Sequence, residues 1–329
     1  MSRTPSDHLV RLFPLNPSDL PPHPALSAVQ RFGEAPALLP FVKAVLDQSV
    51  TWVDKTLPNT FSPIGEKKSP PATGKVRQLS RTINAPKLSG RRNSRGEAWF
   101  ARESIHANHS GLGSANWTEF DGGLRADHMK HEMEYTPNIL DGHKVLDWDD
   151  QLAESGNEWL LRNGYDQVSM SGRSLSPARL DLWVCLGLMT VSVYEMHHQM
   201  PFPLYNRVFA VLAVQARTSE SSCVIAQLPI DLTQLPQEPS NGVFYSNGRN
   251  RRDGESAEKR KKIVLGEYVS VERAKVTDDD NILWIMATAS DAKGWLPMWL
   301  QRFGVPGAIV KDVGCFMDLT AKRRKRSVT

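Results

Sequence analysis

Cysteine is scarce in this sequence of 329 residues, and long apolar runs are missing. The three cysteines, Cys185, Cys223 and Cys315, lie far apart and form no CxxC pair. That spacing argues against a disulfide framework or a zinc site and is typical of a protein in a reducing compartment. The longest apolar stretch, residues 182–194, is shorter than the ~20 residues that cross a bilayer, and the proline-rich N-terminus has no apolar signal core. These absences predict an intracellular, cytoplasmic protein.

Catalytic motifs are missing as well, since the chain contains no GxGxxG, P-loop, GxSxG or kinase signature in a usable context. His128 and His131 have the spacing of metal ligands on a helix, with Asp127 and Glu132 beside them. No third or fourth ligand follows nearby, so helix capping or a polar surface explains these residues better. We predict neither a metal site nor a cofactor.

The net formal charge of +4 conceals an uneven distribution of basic residues. Residues 67–96 contain nine basic residues and no acidic one, and residues 322–326 read KRRKR. Because these two runs carry 14 positive charges, more than the net charge of +4, the remaining chain is net acidic. Nucleic-acid-binding domains usually carry basic patches on the folded surface, so we expect no specific nucleic acid partner. The basic runs are better suited to peripheral contact with an anionic membrane, although KRRKR equally matches a nuclear-import signal or a solvated tail.

Composition divides the chain into four parts. Residues 1–60 predict an extended segment and then an amphipathic helix that Pro58 ends, because apolar residues recur every three or four positions from Leu38 to Val53. Residues 61–96 are basic and rich in Pro, Gly and Ser, which predicts a disordered linker. Residues 97–320 form the predicted folded domain, and residues 321–329 form a basic tail.

The folded domain has the pattern of a sheet followed by one closing helix. A helix is predicted within residues 117–135, and none separates the later strands, which favours antiparallel pairing. Gly294 and Pro297 mark the start of a long C-terminal helix that Pro306 should kink. The fold class is therefore α+β. Segments rich in β-branched and aromatic residues predict the strands, which are 97–106, 144–148, 190–200, 208–217, 222–230, 264–276 and 282–290.

Three segments carry a family resemblance: WFARESIH at 99–106 with the Trp/Phe/His pattern of 117–135, MPFPLYNRVF at 200–209, and the strand-to-helix run 284–314. With these segments the chain resembles the START (StAR-related lipid transfer) superfamily of the helix-grip fold, and most of all a fungal START-like branch of undefined function. The resemblance implies a curved antiparallel sheet that grips the C-terminal helix around one elongated apolar cavity. It also implies a buried lipid whose head group meets one or two polar side chains. The insertion at 237–262 and the basic tail depart from the family pattern and leave partners open.

The resemblance and the alternation of side chains along strands together select candidate ligand-binding residues. A solvated charge, a core histidine or ordinary core packing is the alternative for each of them. Glycines in the C-terminal helix, each ~1 kcal/mol less favourable than alanine, favour a helix that leaves space or moves as a lid. The candidates are Arg102, His106, Tyr194, Met196, His198, Trp284, Met286, Thr288, Leu300, Phe303, Gly307 and Val310.

Three functions are compatible with this pattern. The first is binding of a lipid or other apolar small molecule in the cavity, as part of intracellular transfer or sensing. The alternative is an enzyme of the polyketide cyclase type, in which Glu195 or Glu103 acts with His198 or His106 as acid and base. The third is a regulator that senses a ligand while its basic tail directs its location.

Overall fold

The structure, a computed structural model, describes residues 8–30, 35–84, 96–126, 128–136, 138–162, 189–235, 242–245, 262–293 and 298–327. The side chains of residues 156–162, 298–303 and 327 lie outside this description.

Within the described ranges, nine strands form one sheet in the order β1-β2-β3-β9-β8-β7-β6-β5-β4, and every neighbouring pair in that order is antiparallel. The start of β8 also pairs in parallel with the start of β6. Chain-adjacent strands are therefore sheet neighbours except β3 and β4, because β3 pairs instead with β9, where the two halves of the sheet join. The strands are β1 Ser62–Lys68, β2 Lys75–Ile83, β3 Glu97–Ala107, β4 Ile139–Asp147, β5 Met189–His198, β6 Arg207–Ser219, β7 Ser222–Pro229, β8 Val264–Val276 and β9 Asn281–Asp291.

Helices flank the sheet on both faces. π-Helical turns follow the first and the third helix of the chain and lead toward the next helix. They are Trp52–Thr56 and Asp121–Arg125. The longest helix contains Pro306 and runs without a break to Ser327. The helices are α1 Leu38–Thr51, α2 Leu57–Thr60, α3 Trp117–Phe120, α4 His128–Tyr135, α5 Asp149–Arg162 and α6 Met298–Ser327.

The outer face of the sheet carries α1 and the N-terminal segment. Side chains at every second strand position pack there, among them Val191, Leu212, Val224, Val271 and Ala287. Phe41, Val42 and Val45 of α1 belong to the same cluster, since three- and four-residue spacing places them on one helical face. The amphipathic N-terminal helix is thus part of the main core.

The inner face carries α6, which packs on β2, β3 and α4. The buried stripe of α6 consists of Ile309, Val310, Val313, Phe316 and Met317. The opposite side of α6 is exposed at Gly304, Gly307, Ala308 and Lys311. The inner face is therefore closed by the second half of the C-terminal helix.

Three sequence predictions about the connecting segments are wrong. The proposed disordered linker contains β1 and β2, and β2 buries Val76 and Leu79 against neighbouring strands. Pro58 does not end the N-terminal helix, because it occupies the first turn of α2, where its missing N–H is not needed. The basic run 322–326 is the last part of α6, in which Arg323 pairs with Glu134 at 2.7 Å.

The turn between β1 and β2 is attached to α6 through an inserted hydroxyl group. Ser69 Oγ donates to the carbonyl oxygen of Val310 at 2.6 Å and accepts from the N–H of Gly314 at 2.9 Å. In a regular helix that N–H would bond directly to that carbonyl. Gly314 lets the backbone of Ser69 and Pro70 approach the helix this closely.

We expect Gly314→Ala to lower the free energy of unfolding by about 2 kcal/mol, because the added methyl group would collide with the Pro70 carbonyl oxygen. Gly307→Ala is the matched control, because Gly307 is an exposed glycine of the same helix. A methyl group added there would have no neighbouring heavy atom within 4 Å. It should raise stability by up to ~1 kcal/mol. Urea denaturation measures the free energy of unfolding of both variants. Equal changes would show that the turn does not closely contact α6 at Gly314.

Candidate functional site

The inner face of the sheet carries a buried ion pair. Arg102 on β3 and Glu272 on β8 both lie opposite Met286 of the intervening strand β9, so their side chains meet across that strand. Nη2 of Arg102 donates to Oε1 of Glu272 at 2.8 Å, and Nε1 of Trp284 donates to the same oxygen at 2.7 Å. The Arg102 guanidinium carbon lies 3.9 Å from the centroid of the Trp284 ring, which adds a cation–π contact.

Arg102 retains unused hydrogen-bonding capacity. Its exposure is 1%, and its Nε and Nη1 atoms have no hydrogen-bond partner among the described residues. Burying a charged donor without a partner is unfavourable. A bound molecule with an acceptor oxygen would satisfy these donors, so Arg102 marks a candidate polar end of a ligand site.

Two helices add acidic side chains to the same region. Glu132 of α4 accepts from Nε2 of Gln227 at 3.3 Å and lies 3.5 Å from Nε2 of His128. Asp312 projects from α6, where burial raises the pKa of its carboxyl to about 7; Arg102 opposes this shift and the charges of Glu132 and Glu272 reinforce it. Burial likewise raises the pKa of Glu132.

The side chains around this acidic region are not fully packed. Glu132, Tyr135, Tyr268, Met286 and Asp312 all keep part of their surface accessible, although burial is the main cause of the raised pKa values of Tyr135 and Tyr268. Neighbouring positions on the outer face, such as Ala287 and Val271, are completely buried. These five inner-face side chains form a partly accessible region, which we call the inner space.

One end of the inner face is filled by rings. The rings of His106, Phe120, Trp284 and Phe316 form contacts with centroid distances of 5.0–6.1 Å. Burial, reinforced by the positive charge of Arg102, lowers the pKa of His106 to about 4, so this imidazole is neutral at pH 7. His106 Nε2 forms a 2.8 Å hydrogen bond with Ser104 Oγ. This cluster closes the inner space on the side of α3.

The other end reaches the surface. A cleft of ≈ 530 Å³ lies between α4 and strands β4 and β5 and is lined by Met129, Lys130, Met133, Glu134, Gly142 and Tyr194. Met129, Met133 and Tyr194 also belong to an apolar cluster with Tyr268, which borders the inner space. The cleft is thus a candidate entrance.

A family model described as a protein of unknown function (DUF3074) matches residues 99–320. The chain belongs to this family. Among solved structures, human StAR-related lipid transfer protein 5 is similar at a TM-score of 0.50 and 9% identity, over 86% of this chain and 96% of that one. Human STARD10 has a TM-score of 0.46 and 11% identity, over 86% and 82% of the two chains. A comparison with curated proteins found no match.

The similarity to human StAR-related lipid transfer protein 5 confirms the predicted START-like helix-grip fold of this DUF3074 protein. At such low identity it shows the fold alone. The described helices include none whose length and hydropathy would suit a membrane crossing. Within the same residues, no group of histidine, cysteine and acidic side chains could hold a metal ion. His128 Nδ1 instead lies 2.6 Å from the carbonyl oxygen of Leu124 in the preceding turn.

The structure places most predicted site residues on the inner face, but at different points. Arg102, Trp284 and Met286 meet at the ion pair. Thr288 is buried beside them and donates to the Val269 carbonyl oxygen at 2.9 Å. Tyr194 borders the surface cleft.

Met196 and His198 share the strand face of Tyr194. Met196 belongs to the same apolar cluster, and the His198 ring contacts Phe209 at a centroid distance of 5.2 Å. Burial lowers the pKa of His198 to about 4, and the neighbouring His197 adds to this effect.

Other site predictions need correction. Gly307 is exposed on the side of α6 away from the sheet, so it does not line the inner space. Val310 and His106 belong to the filled end, where Val310 packs with Trp284 and Phe316. Leu300 and Phe303 lie among the side chains outside the described part of the chain.

Sequence reasoning missed three acidic residues of the site: Glu132, Glu272 and Asp312. Two of them had a usable signal. Glu272 alternates with Val271 and lies on the strand face of Tyr268, and Asp312 is an isolated acid among the buried positions Ile309, Val313 and Phe316. A charge on an otherwise apolar face indicates either a partner or a function.

The acid–base pairs predicted for the enzyme alternative do not assemble. Glu103 and Glu195 point to the outer face, whereas His106 and His198 lie on the inner face. Glu195 accepts the backbone N–H of Phe244 at 2.8 Å and lies 3.3 Å from His143. It therefore helps to attach residues 242–245 to the outer face.

His143 is the centre of this attachment. Burial opposes its charge, but hydrogen bonds and charge from Asp141 and Glu195 outweigh burial and raise the pKa of His143 from 6.5 to about 9. The resulting stabilisation is complete below pH 6.5 and is lost as pH rises through 9. We expect His143→Gln to destabilise the protein most at pH 6 and least at pH 10 in urea denaturation. A loss independent of pH would contradict a charged His143.

Proposed function

We propose that this protein binds a lipid or similar apolar molecule in the inner space, with the polar end of the ligand beside Arg102 and Glu272. The observation that carries the proposal is the coincidence of two features. Met286, Tyr268 and Tyr135 stay partly accessible on the inner face, and Arg102 has buried donors without a hydrogen-bond partner among the described residues of the same face.

The lining matches the two parts of an amphiphile. Apolar contact with Met286, Tyr268 and the cluster at Met129 and Tyr194 would supply most of the affinity, at ~25 cal/mol per Å² of buried apolar surface. The few polar groups would fix the orientation of the ligand. The cleft between α4 and strands β4 and β5 would admit it.

The fold supports this proposal. Human StAR-related lipid transfer protein 5, which shares the architecture, is named for lipid transfer. Transfer between membranes and sensing of a ligand both begin with the binding step proposed here. The exposed basic residues at the end of α6 would assist a peripheral contact with anionic lipid, although Lys322, Arg323 and Arg324 already form ion pairs.

Filling the inner space should abolish binding. We expect Met286→Trp to weaken binding of diphenylhexatriene, an apolar probe that fluoresces when shielded from water, by about tenfold or more. Ile105→Trp is the control, because Ile105 is 54% exposed on a strand of the same sheet. It should bind the probe like the wild type.

Tyr268→Trp provides a second filling variant in case Met286→Trp does not unfold cooperatively. Probe binding at wild-type affinity by a folded filling variant would contradict the location of the site. Absence of saturable binding by the wild type would contradict the function itself.

A further inference from the structure

The inner space holds more acidic than basic groups. Arg102 is matched by Glu272, with which it forms the 2.8 Å ion pair. Glu132 and Asp312 supply two additional carboxyl groups to the same region. Lys311 lies on the exposed side of α6 and lowers the pKa of Asp312 less than Arg102 does. An occupant of this region therefore meets an excess of carboxyl groups.

Asp312 has no hydrogen bond or ion pair with the described residues. It lies on α6 between the buried positions Ile309, Val313 and Phe316, where the helix faces the sheet. A carboxyl group in such a place is unfavourable unless it is neutralised by a proton or by a cation. Of the two positive charges among the described residues that lower its pKa, Arg102 is paired with Glu272 and Lys311 lies on the exposed side of α6.

Arg102 and Tyr135 give an independent indication of a ligand. Two Arg102 donors have no hydrogen-bond partner among the described residues, although the exposure of Arg102 is only 1%. The hydroxyl of Tyr135 also has no hydrogen-bond partner in the described part of the chain. The buried Arg102 donors require an acceptor oxygen, and Arg102 lies close enough to Asp312 to lower the pKa of its carboxyl.

We propose that the ligand is an amphiphile whose head group carries a cationic nitrogen, such as a long-chain amine or amino alcohol. The nitrogen would lie between the carboxylates of Asp312 and Glu132, and a neighbouring oxygen would accept from Arg102. This inference rests on the proposed function and specifies the class of ligand. A neutral alcohol would leave Asp312 without a counter-charge, and a fatty acid would add a further negative charge.

Three probes with one tail separate these possibilities: dodecylamine, dodecanol and dodecanoate, each measured by displacement of diphenylhexatriene at pH 8. We expect dodecylamine to bind the wild type about tenfold more tightly than dodecanol, and dodecanoate to bind least tightly. Asp312→Asn should remove most of the amine advantage while changing dodecanol affinity little. Asp318→Asn is the matched control, since Asp318 is half-exposed on α6 and pairs with Lys322.

The outcomes distinguish the two proposals. Equal binding of dodecylamine and dodecanol, tightest binding of dodecanoate, or an Asp312→Asn variant that behaves like Asp318→Asn would overturn the cationic head group and leave the apolar site standing. Failure of diphenylhexatriene and all three probes to bind the wild type would overturn both proposals.

Discussion

Replacing Glu272 with alanine is expected to lower the free energy of unfolding by about 3–5 kcal/mol. The change leaves the Arg102 guanidinium buried without its counter-charge and deprives Trp284 Nε1 of its acceptor. Urea denaturation of the full chain measures the loss. Asp47→Ala is the comparison, because Asp47 forms an exposed ion pair with Lys43 and should change stability by less than about 1 kcal/mol.

A second variant separates stability from function at this position. The double variant Arg102→Leu/Glu272→Leu removes both charges, so it should recover much of the stability lost in Glu272→Ala. It should still bind dodecylamine and dodecanol less tightly than the wild type, because the polar end of the site is gone. A Glu272→Ala variant as stable as Asp47→Ala would show that Arg102 and Glu272 are solvated and that no buried polar site exists.

Asp312→Asn is expected to stabilise the protein at alkaline pH. The folded protein holds the proton of Asp312 up to about pH 7, whereas the unfolded chain releases it near 3.8. The folded state therefore binds more protons between these values, and wild-type stability falls as pH rises through them. Because the side chain is half-buried, we expect Asp312→Asn to raise the free energy of unfolding at pH 8 by only ~1–3 kcal/mol. The difference from the wild type should vanish near pH 4.

Urea denaturation of the ligand-free protein at several pH values measures this difference. Asp318→Asn, on the more exposed side of α6, should follow the wild-type profile. The titratable and charged groups that interact with Asp312 are Arg102, Glu132, Glu272, Tyr135, Tyr268 and Cys315, with Lys311 beside it on the helix. Parallel profiles for the wild type and Asp312→Asn would mean that Asp312 is in contact with solvent and borders no desolvated space.

The later strands could be predicted from sequence because β-branched residues alternate along them, and their observed bounds differ from the prediction by few residues. β1 was missed because its sequence, SPIGEKK, has the composition of a linker and all seven residues are exposed. Its strand conformation comes from pairing with β2, whose register is set by the burial of Val76 and Leu79. Pairing between distant segments is not encoded in local composition.

The candidate site could be predicted only in part for a similar reason. Strand alternation placed Trp284 and Met286 on one face of their strand and Arg102 on one face of β3, but it left open which face looks inward. The predicted helical stripe included Gly307, which is exposed, and left out Ile309, Val313 and Phe316, which are buried. Because of that error in helical phase, Asp312 was not selected as a candidate. Glu132 was missed because it comes near the site only through the packing of α4 against α6, which is tertiary structure.

Native mass spectrometry of the protein purified from its own host tests most directly whether the inner space holds a ligand. The expected result is a mass excess equal to one bound amphiphile in the wild type, its loss in Met286→Trp, and its retention in Ile105→Trp. Recovery of the bare chain from all three proteins, together with no saturable binding of diphenylhexatriene, would contradict a ligand-binding space between the sheet and α6.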